Sequence, residues 1–259
     1  MEPFPGARNR RIRTIRRHRR FRRIAATAAA ALTLPLVALA APAAGAAVFR
    51  AGGAAAARTA ADTNPSCPWL DESLPVQQRV SMLMAQMILA DKINMVTGAG
   101  FSEPYVFYIS AIPNLCIPAI GEEDGPVGVG DGLTGVTQMP AAVSLAAAFD
   151  TSLANQYGQV VGSEERAKGA MVNLGPTVNI DRDPRWGRSF EAYTEDPHLN
   201  AALATADIEG VQSQGEMAQV KHLAVYNQET NRNSPADNAI VSTRALHEIY
   251  LPAFWAATQ

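Results

Sequence analysis

Met171-Val172-Asn173-Leu174-Gly175-Pro176-Thr177-Val178-Asn179-Ile180 is an apolar run broken by Gly175-Pro176. It leads straight into Asp181-Arg182-Asp183-Pro184-Arg185-Trp186-Gly187-Arg188-Ser189-Phe190-Glu191. A short apolar run reads as a buried strand, and a dense polar cluster at its end reads as a site carried on a strand terminus. The same arrangement recurs on both sides. Upstream, Ile117-Pro118-Ala119-Ile120-Gly121 runs into Glu122-Glu123-Asp124-Gly125-Pro126. Downstream, Met217 to Val225 reads as a strand carrying Lys221-His222, followed by Asn227-Gln228-Glu229-Thr230-Asn231-Arg232.

Between these runs lie helical patterns. Val76, Val80, Leu83, Met84, Met87 and Ile88 recur at helical spacing over residues 75–90, with Pro75 in the first turn. Val143 to Phe149 is another short apolar run. Asp150-Thr151-Ser152 then offers caps for a helix carrying Leu153, Tyr157, Val160 and Val161 on one face. Helices are also expected over 198–214 and 243–257. Strands alternating with helices predict an α/β fold with a parallel sheet, and both common architectures of that class place their sites at the carboxyl ends of the strands.

Composition narrows the function. The 259 residues hold 22 basic and 24 acidic side chains. Ten Arg and one Glu fall within residues 1–23, so the remainder carries 12 basic and 23 acidic groups, a net charge of −11. An acidic folded part repels phosphate, so no nucleic-acid partner is expected. The 47% hydrophobic content excludes a wholly disordered chain.

The start has the layout of a secretory signal: basic Arg8 to Arg23, apolar Ile24 to Ala41, then small residues to Ala47. A cleaved signal over 1–47 is expected, with a retained anchor or a misplaced start codon as alternatives. No stable membrane anchor is expected after cleavage, and the product is expected to be secreted. Residues 48–63 read as a flexible linker, and the folded part as 64–259. Export would place Cys67 and Cys116 in an oxidising compartment, either as one disulfide or as two buried thiols.

Asp124, fixed by the Gly-Pro turn that follows it, is suited to accept from two neighbouring sugar hydroxyls; an acidic surface loop is the alternative. In the 181–191 cluster, Arg forks can brace carboxylates or reach hydroxyls, and Trp186 offers an apolar face. A regular strand would point Lys221 and His222 to opposite faces. His198, His222 and His247 lack metal-ligand spacing, and neither a phosphate-cradling glycine loop nor a Gly-x-Ser-x-Gly elbow occurs. No metal and no cofactor are expected.

Taken together, the clusters resemble the N-terminal barrel domain of glycoside hydrolase family 3, the family of many β-glucosidases. Seven stretches match in order over roughly residues 75–259: 123–126, 174–180, 182–191, 195–197, 220–222, 227–232 and 248–254. The resemblance implies the first part of a (β/α)8 TIM-type barrel. It implies that Asp124, Arg188, Lys221 and His222 bind one sugar, with Arg185, Trp186, Glu191, Glu229 and Arg232 bracing them. The family commonly carries an unusual peptide bond between the Lys and the His. Met87-Ile88-Leu89-Ala90-Asp91-Lys92 and Leu223 depart from its usual residues. Leu223-Ala224-Val225-Tyr226-Asn227 stands where N-acetylglucosamine-releasing members have a Pro-Gly-His loop, so the resemblance favours the glucosidase or xylosidase branch.

A retaining glycosidase needs two carboxyls about 5–5.5 Å apart. The family's Ser-Asp-Trp-like nucleophile motif does not occur in these residues, and its acid/base Glu comes from a following domain. Residues 64–259 are also fewer than the ~250 typical of a complete barrel. The expectation is therefore an N-terminal fragment of an exported β-glucosidase-like enzyme, holding part of the sugar-binding floor, lacking the catalytic pair and inactive in hydrolysis. The rival readings are a non-catalytic sugar-binding protein and an anchored or anion-binding protein using the Arg-rich start.

Overall fold

The computed structural model describes residues 66–100 and 104–259. The expected signal (1–47) and linker (48–63) lie outside the described residues.

Helix α1 spans Val76–Gln86 and α2 spans Leu89–Thr97. The single helix expected over 75–90 is thus two, because Met87 turns to extended backbone (ψ 126°) and Ile88 starts afresh, its N–H donating to Asp91 at 3.0 Å. Strand β1 (Phe107–Ile109) was not foreseen; it pairs antiparallel with β2 (Ile120–Asp124), Phe107 opposite Glu122. The acids expected in a loop therefore stand on a strand. Gly121 and Glu123 point into the protein while Glu122 and Asp124 share the other face.

The Val143–Phe149 run folds mainly as helix α3 (Ala142–Ala146), burying Leu145. Helix α4 (Thr151–Lys168) starts where expected: the Asp150 carboxylate accepts from the N–H groups of Ser152 (2.8 Å) and Leu153 (3.3 Å). Gly169 ends it in left-handed backbone, φ 84°. Strand β3 (Val172–Leu174) runs parallel to β2, and Gly175-Pro176, a cis bond, closes it. Helix α5 (Pro197–Ser213) is capped by Asp196, with Pro197 in its first turn.

Strand β4 (Met217–Ala218), parallel to β3, is far shorter than the strand expected to reach Val225. Beyond it the backbone still pairs once with Thr177, Val178 N–H donating to Lys221 at 2.7 Å, and then passes through cis bonds at Lys221-His222 and Leu223-Ala224. The last helical region comprises α6 (Thr243–Ala245), a π-helical turn (Leu246–Tyr250) and α7 (Pro252–Ala256). Pro252 has no N–H to give, and Leu251 instead bonds five residues back to Leu246 at 2.9 Å.

The sheet order is β1-β2-β3-β4. The main core joins α3, α4, α5 and α7 through Leu145, Tyr157, Val161, Leu203 and Ala253, with Val178 and Tyr193 from the loops beyond β3. Helices α4 and α5 cross closely because Gly158 and Gly210 carry no side chain: a Cβ at Gly210 would lie 2.2 Å from the Asn155 carbonyl oxygen. A second cluster gathers Trp69, Ile112 and Leu115 around a disulfide between Cys67 and Cys116, whose Cα atoms are 6.3 Å apart. Among the described residues, no helix is long and apolar enough to cross a membrane.

Candidate active site

Three parallel strands end on the same side of the sheet, and the polar clusters follow those ends. Asp124 closes β2, Arg188 lies on the loop after β3, and Lys221 and His222 follow β4. The Lys221 ammonium pairs with the Asp124 carboxylate in a partly buried contact. The Asp124 backbone N–H donates to Glu123 Oε1 at 3.0 Å.

Arg188 makes a two-point pair with Glu191, Nε to Oε1 and Nη2 to Oε2, both at 2.6 Å. Glu191 Oε2 also accepts from the Thr177 hydroxyl at 3.3 Å. Since Thr177 is wholly buried and bridges both Ala192 and Lys221, the 181–191 loop is tied to the strand ends on either side. Two further bonds fix that loop: Ser189 donates to Asp181 at 2.8 Å, and Arg182 to the Tyr250 hydroxyl at 2.5 Å.

His222 and Arg188 meet at Tyr226. The imidazole stands edge-on to the Tyr226 ring at 4.9 Å, and the Arg188 guanidinium lies 5.7 Å from its centre. Arg232 takes up a similar position at 4.9 Å, and Trp186 packs edge-on at 5.5 Å. Glu229 binds this group together: its Oε1 accepts from Trp186 Nε1 (2.8 Å) and the Tyr226 hydroxyl (2.5 Å), and its Oε2 from Arg232 (3.3 Å). Trp186 is only 4% exposed, so its ring packs beneath the site instead of offering a face to solvent.

The charges act on one another. Burial first, then the positive charges of Arg188, Lys221 and Arg232, push the His222 imidazole down to about 3, so it is neutral at ordinary pH. Burial and then the Asp124 charge push the Asp131 carboxyl up. Burial opposes ionisation of Glu229, but the donors Tyr226 and Trp186 outweigh it and hold the carboxyl low. Arg188, Lys221 and Asp124 all act electrostatically on His222, which places the four groups from three strand ends in one neighbourhood.

Residues 81–259 match the model of the glycosyl hydrolase family 3 N-terminal domain. The chain belongs to glycosyl hydrolase family 3. Among its relatives, the probable beta-glucosidase J of Aspergillus fumigatus is 38% identical over 187 residues, covering 71% of this chain and 21% of that protein. The structure of DesR, a beta-glucosidase from Streptomyces venezuelae in complex with D-glucose, superposes with a TM-score of 0.65 at 40% identity, covering 69% of this chain and 23% of that one. Beta-glucosidase 3B from Thermotoga neapolitana, in complex with glucose, gives 0.62 at 34% identity over 69% and 27%. The chain thus spans about a fifth to a quarter of these proteins. The α/β fold, three parallel strands with an added antiparallel one, is the opening portion of the family's TIM-type barrel.

Within this family 3 portion, Asp124, Arg188, Lys221 and His222 are brought together, and Trp186, Glu191, Glu229 and Arg232 pack around them. Arg185 is not brought in: its side chain is 88% exposed and pairs with Asp183 at 2.5 Å in its own loop. Residue reading overlooked Tyr226, Asn179, Thr177 and Asp131. Tyr226 had a signal, because an aromatic four residues past His222 stands directly before the polar run Asn227 to Arg232; Asn179 and Thr177 looked like ordinary members of an apolar run. Among the described residues, no group of three or more His, Cys, Asp or Glu could hold a metal ion.

Proposed function

We propose that residues 64–259 form the part of an exported retaining β-glucosidase that holds the terminal non-reducing glucose, or xylose, of its substrate. The supporting observation is the convergence of Asp124, Arg188, Lys221 and His222 from three strand ends. A carboxylate accepts from vicinal hydroxyls, ammonium and guanidinium donate, and a neutral imidazole adds a directional partner. Such a set suits a neutral ring dense in hydroxyls.

Each well-placed carboxylate here is already committed. Asp124 faces Lys221, Glu191 grips Arg188, and Glu229 takes Trp186, Tyr226 and Arg232. Carboxylates so engaged are suited to position a sugar, and the family's Ser-Asp-Trp-like nucleophile motif does not occur in these residues. The nucleophile and acid/base of the retaining mechanism are accordingly proposed to lie outside these 259 residues, so the chain alone binds without turnover. The basic and Ala-rich residues 1–47 are proposed as its export signal, and N-terminal sequencing of secreted material is expected to start near residue 48.

Glucose titration beside an aryl β-glucoside assay tests the reading. The expected result is saturable glucose binding with no hydrolysis. Turnover comparable to complete family members would overturn the non-catalytic reading, and a folded chain that ignores glucose would overturn the sugar site.

A further inference from the structure

Asn179 is 2% exposed and makes four contacts with one short stretch of chain. Its Nδ2 lies 2.8 Å from both the His222 and the Ala224 carbonyl oxygens. Its Oδ1 lies 2.9 Å from the His222 backbone nitrogen and 2.9 Å from the His222 ring Nδ1. Two carbonyls can only accept and a backbone N–H can only donate, so chemistry permits a single orientation of this amide. The ring nitrogen facing Oδ1 must then be a donor.

We propose that Asn179 is a positioning residue that locks His222 as the Nδ1–H tautomer, leaving Nε2 as a hydrogen-bond acceptor for the sugar. Burial and the adjoining cations oppose a second proton: Arg188, Lys221 and Arg232 all disfavour the imidazolium, and Asp124 acts the other way. The site therefore has two acceptor groups, Asp124 and His222, beside the donors Lys221 and Arg188. The hydroxyl meeting His222 has to give its hydrogen. The ligand class follows: a sugar with a free hydroxyl there is bound, whereas an O-methylated or fluorinated position is refused although either can accept. This consequence rests on the sugar reading of the site; the tautomer does not.

Two-bond hydrogen–nitrogen correlation spectra of the 15N-histidine-labelled chain, with His222 assigned by its loss in His222→Gln, read the tautomer without any sugar. The expected pattern is a protonated Nδ1 and a bare Nε2, unchanged from about pH 8 to about pH 5. An Nε2–H ring, or a ring protonated at both nitrogens near neutral pH, would overturn the proposal. Asn179→Asp keeps an acceptor but adds a charge, and the ring should take its second proton at a higher pH than in the wild type. Asn179→Ala should give mixed tautomers. The wild-type spectrum decides the question by itself, so a variant that does not fold leaves the test intact. In glucose titrations, the deoxyfluoro analogue at the position facing His222, recognised because His222→Ala abolishes its discrimination, should bind as poorly as the deoxy analogue, about tenfold below glucose or worse. Tolerance of fluorine at every position contradicts the acceptor role. Absence of glucose binding beside the expected tautomer would sink the sugar reading and leave the lock standing.

Discussion

Glu191 grips Arg188 through two hydrogen bonds of 2.6 Å, three residues apart on a single turn of 3-10 helix. The pair is largely screened from solvent, and the hydrogen bonds that Arg188 donates to Glu191 hold the guanidinium charged more firmly than usual. Removing one partner of such a pair strands the other charge. Glu191→Ala is expected to cost about 3 kcal/mol of stability, read in a urea melt. Glu191→Gln, which keeps one acceptor, should cost less. Equal losses for the two would contradict this ordering and mean that the retained amide acceptor contributes nothing, the whole effect lying in the lost charge.

Glu165 on α4 is wholly buried, and neither carboxylate oxygen has a hydrogen-bond partner. Burial first, then the charge of Glu216, raises its carboxyl to about 9. The folded state therefore holds a proton that the unfolded chain releases above about 4.5, so stability falls as pH rises from there through about 9. Glu123 and Asp207, raised to about 7, act in the same sense over a narrower window. His222 acts oppositely, losing stability as pH falls from about 6.5 towards about 3. Comparing melts at about pH 6.5 and about pH 8.5 isolates the acids. The midpoint should drop at the higher pH, and Glu165→Gln should remove most of the drop.

The α4–α5 crossing depends on bare backbone at Gly158 and Gly210. Gly210→Ala would set its Cβ 2.2 Å from the Asn155 carbonyl oxygen and force the helices apart. Overpacking of this kind costs about 1–3 kcal/mol. A thermal melt unchanged from the wild type would show that the crossing tolerates the separation.

The Cys67–Cys116 bond spans 49 residues and covers the small cluster around Trp69, whose indole N–H donates to the Leu115 carbonyl at 3.1 Å. Reduction should lower stability by about 2–4 kcal/mol, with Trp69 fluorescence shifting before the main unfolding transition. An identical melt with and without reductant would contradict this.

The site could be found in the sequence because its groups cluster at the ends of apolar runs, where strand termini put them. Asp124, Arg188, Lys221 and His222 declare themselves by chemical type. Their arrangement was less visible. Alternation argues against Lys221 and His222 serving one site, but it applies only within a regular strand, and β4 ends at Ala218, before either residue. Glu122 to Asp124 read as a loop because charge outweighs the β propensity of so short a run, yet pairing with β1 and β3 holds them extended. Asn179 escaped because its importance lies in partners 43 and 45 residues away, and no local pattern encodes such contacts. Tyr226 joins near partners, His222, Glu229 and Arg232, to the distant Trp186 and Arg188, and only the near half of that set is visible in the sequence.

The central claim is that four side chains from three strand ends hold one pyranose. Calorimetric titration of D-glucose into the chain and into Asp124→Asn, Arg188→Met, Lys221→Met and His222→Ala tests it most directly, with Arg185→Ala as the control. Each of the four should weaken binding on the order of tenfold or more, as expected for hydrogen bonds to charged or buried groups, and Arg185→Ala should not change it. Glucose binding that survives all four substitutions would contradict the account.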